Sequence, residues 1–248
     1  MMRRLMTLIV PAALVLTVVA TPACAQSSSA ELEALRKEVA ELREDLASLR
    51  ATLGRPRPIV KLDEGYRKGN ADALVALVEF SDYECPFCIR HSRETMPMID
   101  KNYIQTGKIL YTFRDFPIDQ LHPQAIRAHE AARCAGDQGK FWEMHGQMFG
   151  SPQQHTPEAL EATAASVGVD LQKYRACIAA GTHTESIRAN ASIAEGFGAN
   201  GTPAFFIGLV DKETNQIKIT RAITGAVPFP QFAQALEAAL AQAQGQKR

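Results

Sequence analysis

The stretch from Leu74 to Cys88 constrains this sequence most. Leu74, Val75, Ala76, Leu77, Val78 and Phe80 form an apolar, partly β-branched run, the pattern of a strand buried on both faces. Cys85-Pro86-Phe87-Cys88 follows at once. Pro86 suits a first helical position, because the donor it lacks would be orphaned there anyway. Two cysteines three positions apart across that first turn face one another, and the outer one meets the positive end of the helix dipole. The segment reads as a strand delivering two thiols to a helix start, with Cys85 the more acidic and nucleophilic.

At 248 residues and 46% hydrophobic content, the chain can bury one full core, so a single main domain with appendages is expected. Lys+Arg and Asp+Glu both total 27, which leaves no global charge bias toward nucleic acid or anionic membrane. Met1-Met2-Arg3-Arg4, the apolar run from Leu5 to Ala20 and the small-x-small Ala23-Cys24-Ala25 together read as a signal peptide over 1–25. An uncleaved membrane anchor and a lipoprotein acylated at Cys24 are the competing readings. The apolar run is at the short edge of a spanning helix, and Thr21 stands where an acylation signal expects a large aliphatic residue. Export would place the rest in an oxidising compartment. The cysteines left after cleavage, 85, 88, 134 and 177, allow three connectivities. Cys85 with Cys88 and Cys134 with Cys177 is the natural choice, because the first pair is already adjacent.

Residues 26–54 carry their own pattern. Leu32, Leu35, Val39, Leu42, Leu46, Leu49 and Leu53 alternate steps of three and four, a heptad with Leu32, Val39, Leu46 and Leu53 at a. Glu31, Glu38 and Asp45 each precede an Arg (36, 43, 50) by five residues, as attractive pairs between parallel helices do. A parallel coiled coil making a homo-oligomer through residues 30–53 is expected; a helix folded back on its own domain is the alternative. Gly54-Arg55-Pro56-Arg57-Pro58 opens a stiff linker over 55–70, with the folded domain expected to begin soon after the prolines, near Ile59 or Ala71. The domain proper is expected over 71–248: strand, helix to about Gln105 kinked at Pro97, strand over Lys108 to Phe113, helical insertion over about 118–195, strands at 204–207 and 217–223, and a closing amphipathic helix from Pro228.

Cys-x-x-Cys alone also fits half of a zinc site, but no second such motif exists and the near ligand is His91. A c-type haem is disfavoured because Ile89 stands where that motif requires His. Gly196-Phe197-Gly198-Ala199-Asn200-Gly201 matches a dinucleotide fingerprint, yet it follows a helix and leads into a strand, the reverse of the binding context. Phe141, Trp142, Met144, Met148 and Phe149 read as core, and His122, His129 and His145 as packing or surface residues.

Three separated segments, VEFSDYECPFC, RCAGDQGKFWEMHGQMF and GTPAFFIG, discriminate among these chemistries. With them the chain resembles the thioredoxin superfamily, and within it the DsbA-like disulfide oxidoreductases of bacterial envelopes, from about residue 71 onward. The resemblance implies an α/β thioredoxin-like fold with a helical insertion and a cis Thr202-Pro203 bond packed on the cysteine pair. It also places an acid, Glu79, buried beneath the disulfide, where it can accept or return the proton of Cys88. The Cys134–Cys177 pair reads as structural.

The implied activity is thiol-disulfide exchange on exported client proteins in the periplasm, with a membrane redox partner to reset the pair and no cofactor or metal. Phe87 departs from strongly oxidising relatives, which often carry His there, so a milder oxidant is expected. A non-catalytic chaperone or metal-stress binding module is the alternative from another class, and a metal chaperone a third.

Overall fold

The computed structural model describes residues 31–43, 45, 59–62, 64–151 and 155–245. The leader over 1–25, Cys24, the heptad leucines Leu46, Leu49 and Leu53 and the whole of Gly54–Pro58 lie outside the described residues. Two compact units are present, Met1–Pro56 and Arg57–Arg248. In the first, residues 31–43 form helix α1, and Leu32, Leu35, Val39 and Leu42 are exposed along it. Among the described residues no helix is long and apolar enough to cross a membrane.

The second unit is a sheet with helices on both faces. Its strands are β1 (Ile59–Lys61), β2 (Tyr66–Gly69), β3 (Val75–Ser81), β4 (Leu110–Asp115), β5 (Ala204–Asp211) and β6 (Gln216–Thr224), in the order β1-β6-β5-β3-β4-β2. β3 and β4 are parallel; all other pairs are antiparallel. β3 is central and wholly buried, as its apolar run requires.

Two expectations need correcting here. Residues 59–69 are not a linker: β1 pairs with β6 and β2 with β4, so of the two expected starts the domain takes the earlier, near Ile59. Both are short edge strands, and β2 exposes Arg67 and Lys68, the charged character that protects a sheet edge and hides a strand from periodicity. Gly65 enters β2 at φ +108, where an added Cβ would lie 2.7 Å from the Phe113 carbonyl oxygen. The other correction is β4, which starts at Leu110 and runs on to Asp115.

After β3 the chain runs through α2 (Pro86–Arg90), a π-helical turn (His91–Thr95), α3 (Met96–Ile99) and a second π-helical turn (Asp100–Ile104). The first π turn lies just ahead of Pro97, whose missing N–H and ring would disrupt a regular i→i−4 register. The insertion is α4 (Ala125–Gly136), α5 (Phe141–Gly150), α6 (Pro157–Ser166), α7 (Leu171–Ala180) and α8 (Thr184–Gly196), and α9 (Phe229–Gly245) closes the chain.

Alternation along β3 sorts the core into two layers. Val75 and Leu77 face a large cluster with Cys88, Phe113, Phe141, Met144, Phe205 and Phe232. Ala76, Val78 and Phe80 face a smaller one with Phe206, Ile217, Ile219 and Ala194 of α8. Glu79 and Ser81 follow the parity of Val75 and so belong to the Cys88 face. At the end of β4, Asp115 accepts from His129 Nδ1 at 2.6 Å and Arg133 Nε at 2.9 Å, tying α4 to the sheet. Burial pushes its carboxyl up, but His129 and Arg133 overcome this and hold it at about 2.

Candidate functional site

Cys85 occupies the N-cap position of α2 with extended backbone (φ −70, ψ 120), and Pro86 opens the helix. Cys88 lies one turn in, and both thiols are free and buried. The antiparallel register sets Phe80 against Ala204. The chain leaving β3 therefore meets the chain entering β5, and Thr202-Pro203, joined by a cis bond, is brought against Cys85 from 117 residues away. The Cys85 thiol donates to the Thr202 carbonyl at 3.4 Å.

The two thiols are electrostatically unequal. The Cys88 thiol lowers Cys85 to about 6; burial opposes this, and the Thr202 side chain and the Cys88 and Phe87 backbone add to it. Cys88 is driven well above its ordinary value by burial and then by Cys85. Between the two, Phe87 is 53% exposed and stacks beneath the Arg90 guanidinium at 5.3 Å. An aromatic ring with no proton to donate thus stands beside the reactive sulfur.

Glu79 is buried, and burial lifts its carboxyl to about 7 although the Tyr111 hydroxyl donates to Oε2 at 2.8 Å. Ser81, two residues along the same strand face, is close enough to lower both Glu79 and Cys88. Glu79 and Ser81 thus lie buried on the sheet face against which Cys88 packs. His91 adds a group that the sequence reading treated only as a metal ligand. Its Nε2 lies 3.7 Å from Glu79 Oε2, its ring sits 4.4 Å from Phe205 and 5.2 Å from Phe232, and burial holds it neutral down to about 3.

The loop that presents Cys85 is fixed by polar residues that periodicity does not single out. Buried Asp82 accepts from the backbone N–H of Glu84 and Ile118, each at 2.8 Å, and contacts His122 Nδ1 at 2.7 Å. Glu84 accepts from the Gln124 N–H at 2.6 Å, and His155 Nε2 meets the Tyr83 carbonyl at 3.2 Å. The Tyr83 hydroxyl pairs with His145 at 3.1 Å. Acidic residues directly before Cys-x-x-Cys were the available signal. Beside the site, a cleft of about 490 Å³ runs between Arg90, Glu94 and Thr95 on one side and Ala226 to Phe229 on the other.

Cys134 and Cys177 form a disulfide, 43 residues apart, that joins α4 to α7. The glycine-rich run at 196–201 links α8 to β5, with Gly198 at φ +83.

Known proteins agree with this architecture. The Wolbachia pipientis protein alpha-DsbA1 superposes with a TM-score of 0.66 at 23% identity, over 76% of this chain and 97% of its own. A Rickettsia typhi protein described as a candidate protein-disulfide oxidoreductase is 30% identical over 166 residues, 64% of this chain and 60% of its own. The Na(+)/H(+) antiporter NhaA 3 of Salinispora tropica is 30% identical over 163 residues, 63% of this chain but only 24% of that protein. The family model described as thioredoxin matches residues 61–224, and the chain belongs to that family.

Proposed function

We propose that this chain is a thiol:disulfide oxidoreductase that forms or isomerises disulfide bonds in exported proteins through Cys85 and Cys88. The observation that carries this reading is the unequal pair itself: an acidic Cys85 at a helix start, held against the Thr202 carbonyl ahead of a cis proline, over a Cys88 that burial keeps protonated. The Rickettsia relative's description supports the same activity.

In the oxidised pair a client thiolate attacks Cys85 Sγ, the Cys85–Cys88 bond breaks, and Cys88 takes up a proton as it leaves. Glu79, titrating near neutrality on the Cys88 side, is the group suited to supply that proton and to receive it on reoxidation. A second client thiolate then attacks the client sulfur of the mixed disulfide and frees Cys85 as a stabilised thiolate. From the reduced state, Cys85 attacks a wrong client disulfide and reshuffles it. The Thr202 backbone beside Cys85 is positioned to pair with an extended client segment.

The basic-then-apolar leader over 1–25 supports export to the periplasm, where a membrane redox partner would reset the pair. Cys85→Ala, with folding confirmed by circular dichroism, should abolish insulin reduction and the refolding of scrambled ribonuclease, while Cys88→Ser should accumulate mixed disulfides with clients. Activity surviving in Cys85→Ala would sink the assignment. The occupant we assign to the leucine face of α1 is a second copy of this chain, because the charges flanking it complement one another in a parallel pair. Deleting 26–54 should give a monomer that keeps dithiol oxidation but has weakened isomerase activity; sedimentation showing an already monomeric full-length protein would remove this part.

A further inference from the structure

A second cluster of chemistry-bearing side chains lies away from Cys85 and Cys88 and is independent of the function proposed above. Donor atoms of Cys134, Cys177 and His183 all fall within 4.8 Å of one another. Asp137, capping α4, brings a fourth donor: its Oδ2 is 2.8 Å from His183 Nε2 and 3.7 Å from Cys177 Sγ. Two sulfurs, an imidazole and a carboxylate are the donor set that Zn²⁺ takes in tetrahedral sites, whose edges are about 3.2 to 3.8 Å. The Asp137–Cys177 edge already falls in that range and the Asp137–His183 edge needs to open by a few tenths of an ångström, while the Cys134–Cys177 bond holds the two sulfurs too close for a shared ion.

Three of the four donors keep their places without that bond. Cys134 and Asp137 are one turn apart at the end of α4. The segment bearing His183 is pinned to the same helix by Glu130, which accepts the His183 backbone N–H at 2.8 Å and the Thr184 hydroxyl at 2.9 Å. His183 and Asp137 reach solvent, with side chains 18% and 49% exposed, so an ion has a route in.

We propose that Cys134, Cys177, His183 and Asp137 form a redox-switched zinc site, closed while the disulfide is intact and opened by its reduction. An external dithiol transfers two electrons and two protons to the Cys134–Cys177 bond and leaves as its own disulfide. Zn²⁺ then displaces the two thiol protons to solvent and bridges α4 to α7 in place of the lost covalent link.

The test uses the full mature chain carrying Cys85→Ser and Cys88→Ser, so that no other thiol competes. After reduction by a phosphine and its removal, Co²⁺ is titrated as a spectroscopic probe and then displaced by Zn²⁺. One equivalent of Co²⁺ should give thiolate charge-transfer and tetrahedral d–d bands in the reduced protein and none in the oxidised protein. His183→Ala and Asp137→Ala should each weaken binding tenfold or more. Zn²⁺ should raise the melting midpoint of the reduced protein only, or restore its circular dichroism if reduction has unfolded it. Absence of the charge-transfer band, equal uptake by the oxidised form, affinity unchanged in His183→Ala, or an unfolded reduced chain that Zn²⁺ does not refold would each overturn the proposal.

Discussion

The molecule carries two cysteine pairs, and they differ in what a bond between them can do. Cys85 and Cys88 share one helical turn, so joining them closes a ring too small to restrict the unfolded chain much. Their redox balance is left to electrostatics: the thiolate favoured at Cys85, the burial of Cys88 and the acid at Glu79. Cys134 and Cys177 are 43 residues apart on two helices of the insertion, with Cα atoms 5.9 Å apart. Closing that longer loop restricts the unfolded chain more than closing the short one does. The short pair suits exchange and the long pair stapling, for reasons of chain entropy and local field rather than of sulfur chemistry.

The largest expected effect tests that contrast on stability. Replacing Cys134 and Cys177 by Ser should cost the oxidised protein about 4 kcal/mol in denaturant unfolding, as a closed loop of about 44 residues implies. The matching replacement of Cys85 and Cys88 should cost much less, and equal losses would break the comparison.

A smaller effect concerns the redox pair's own balance. Alkylation of reduced protein by iodoacetamide should titrate near pH 6 at Cys85, well below a free thiol. Because the folded thiol is depressed, its contribution to the reduced state is present at alkaline pH and is lost as pH falls through about 6. At pH 7 the effect therefore favours the reduced pair and raises its potential. Phe87→His would add a donor beside the sulfur and should move the titration lower and the potential higher. A titration midpoint at or above pH 8 in the parent protein would remove the asymmetry on which the exchange reading rests.

The smallest effect is kinetic. Glu79→Gln should slow the release and recapture of Cys88 several-fold and abolish the rate dependence centred near pH 7. Because the folded carboxyl is raised, its neutral form stabilises the protein at low pH, and that contribution fades as pH rises through about 7. The parent's stability should accordingly decline between about pH 4.5 and 7 more than that of Glu79→Gln, and the difference should level off above neutrality. A rate profile unchanged in the variant would confine Glu79 to packing.

Much of this was legible in the residues alone. The run from Val75 to Phe80 determined a central strand, because nothing but burial on both faces suits so unbroken an apolar sequence. Cys85-Pro86 determined a helix start, since proline tolerates that position and few others in a helix. The five insertion helices and α9 followed from apolar spacing and glycine breaks, which are local signals. What lay in contacts between distant segments was not legible. β1 and β2 are too short and too charged to register as strands until β6 and β4 supply their partners. Asp82 and Glu84 look like surface acids until the chain after β4 brings backbone N–H groups to them. His91 follows a helical spacing that any core residue would satisfy, and only the packing of β3, β5 and α9 around it sets an imidazole beside Glu79. The sequence by itself determined which residues could react and which elements would carry them. The tertiary structure decided their company, because burial and the proximity of charges arise only when segments more than a hundred residues apart pack together, as Cys85 and Thr202 do.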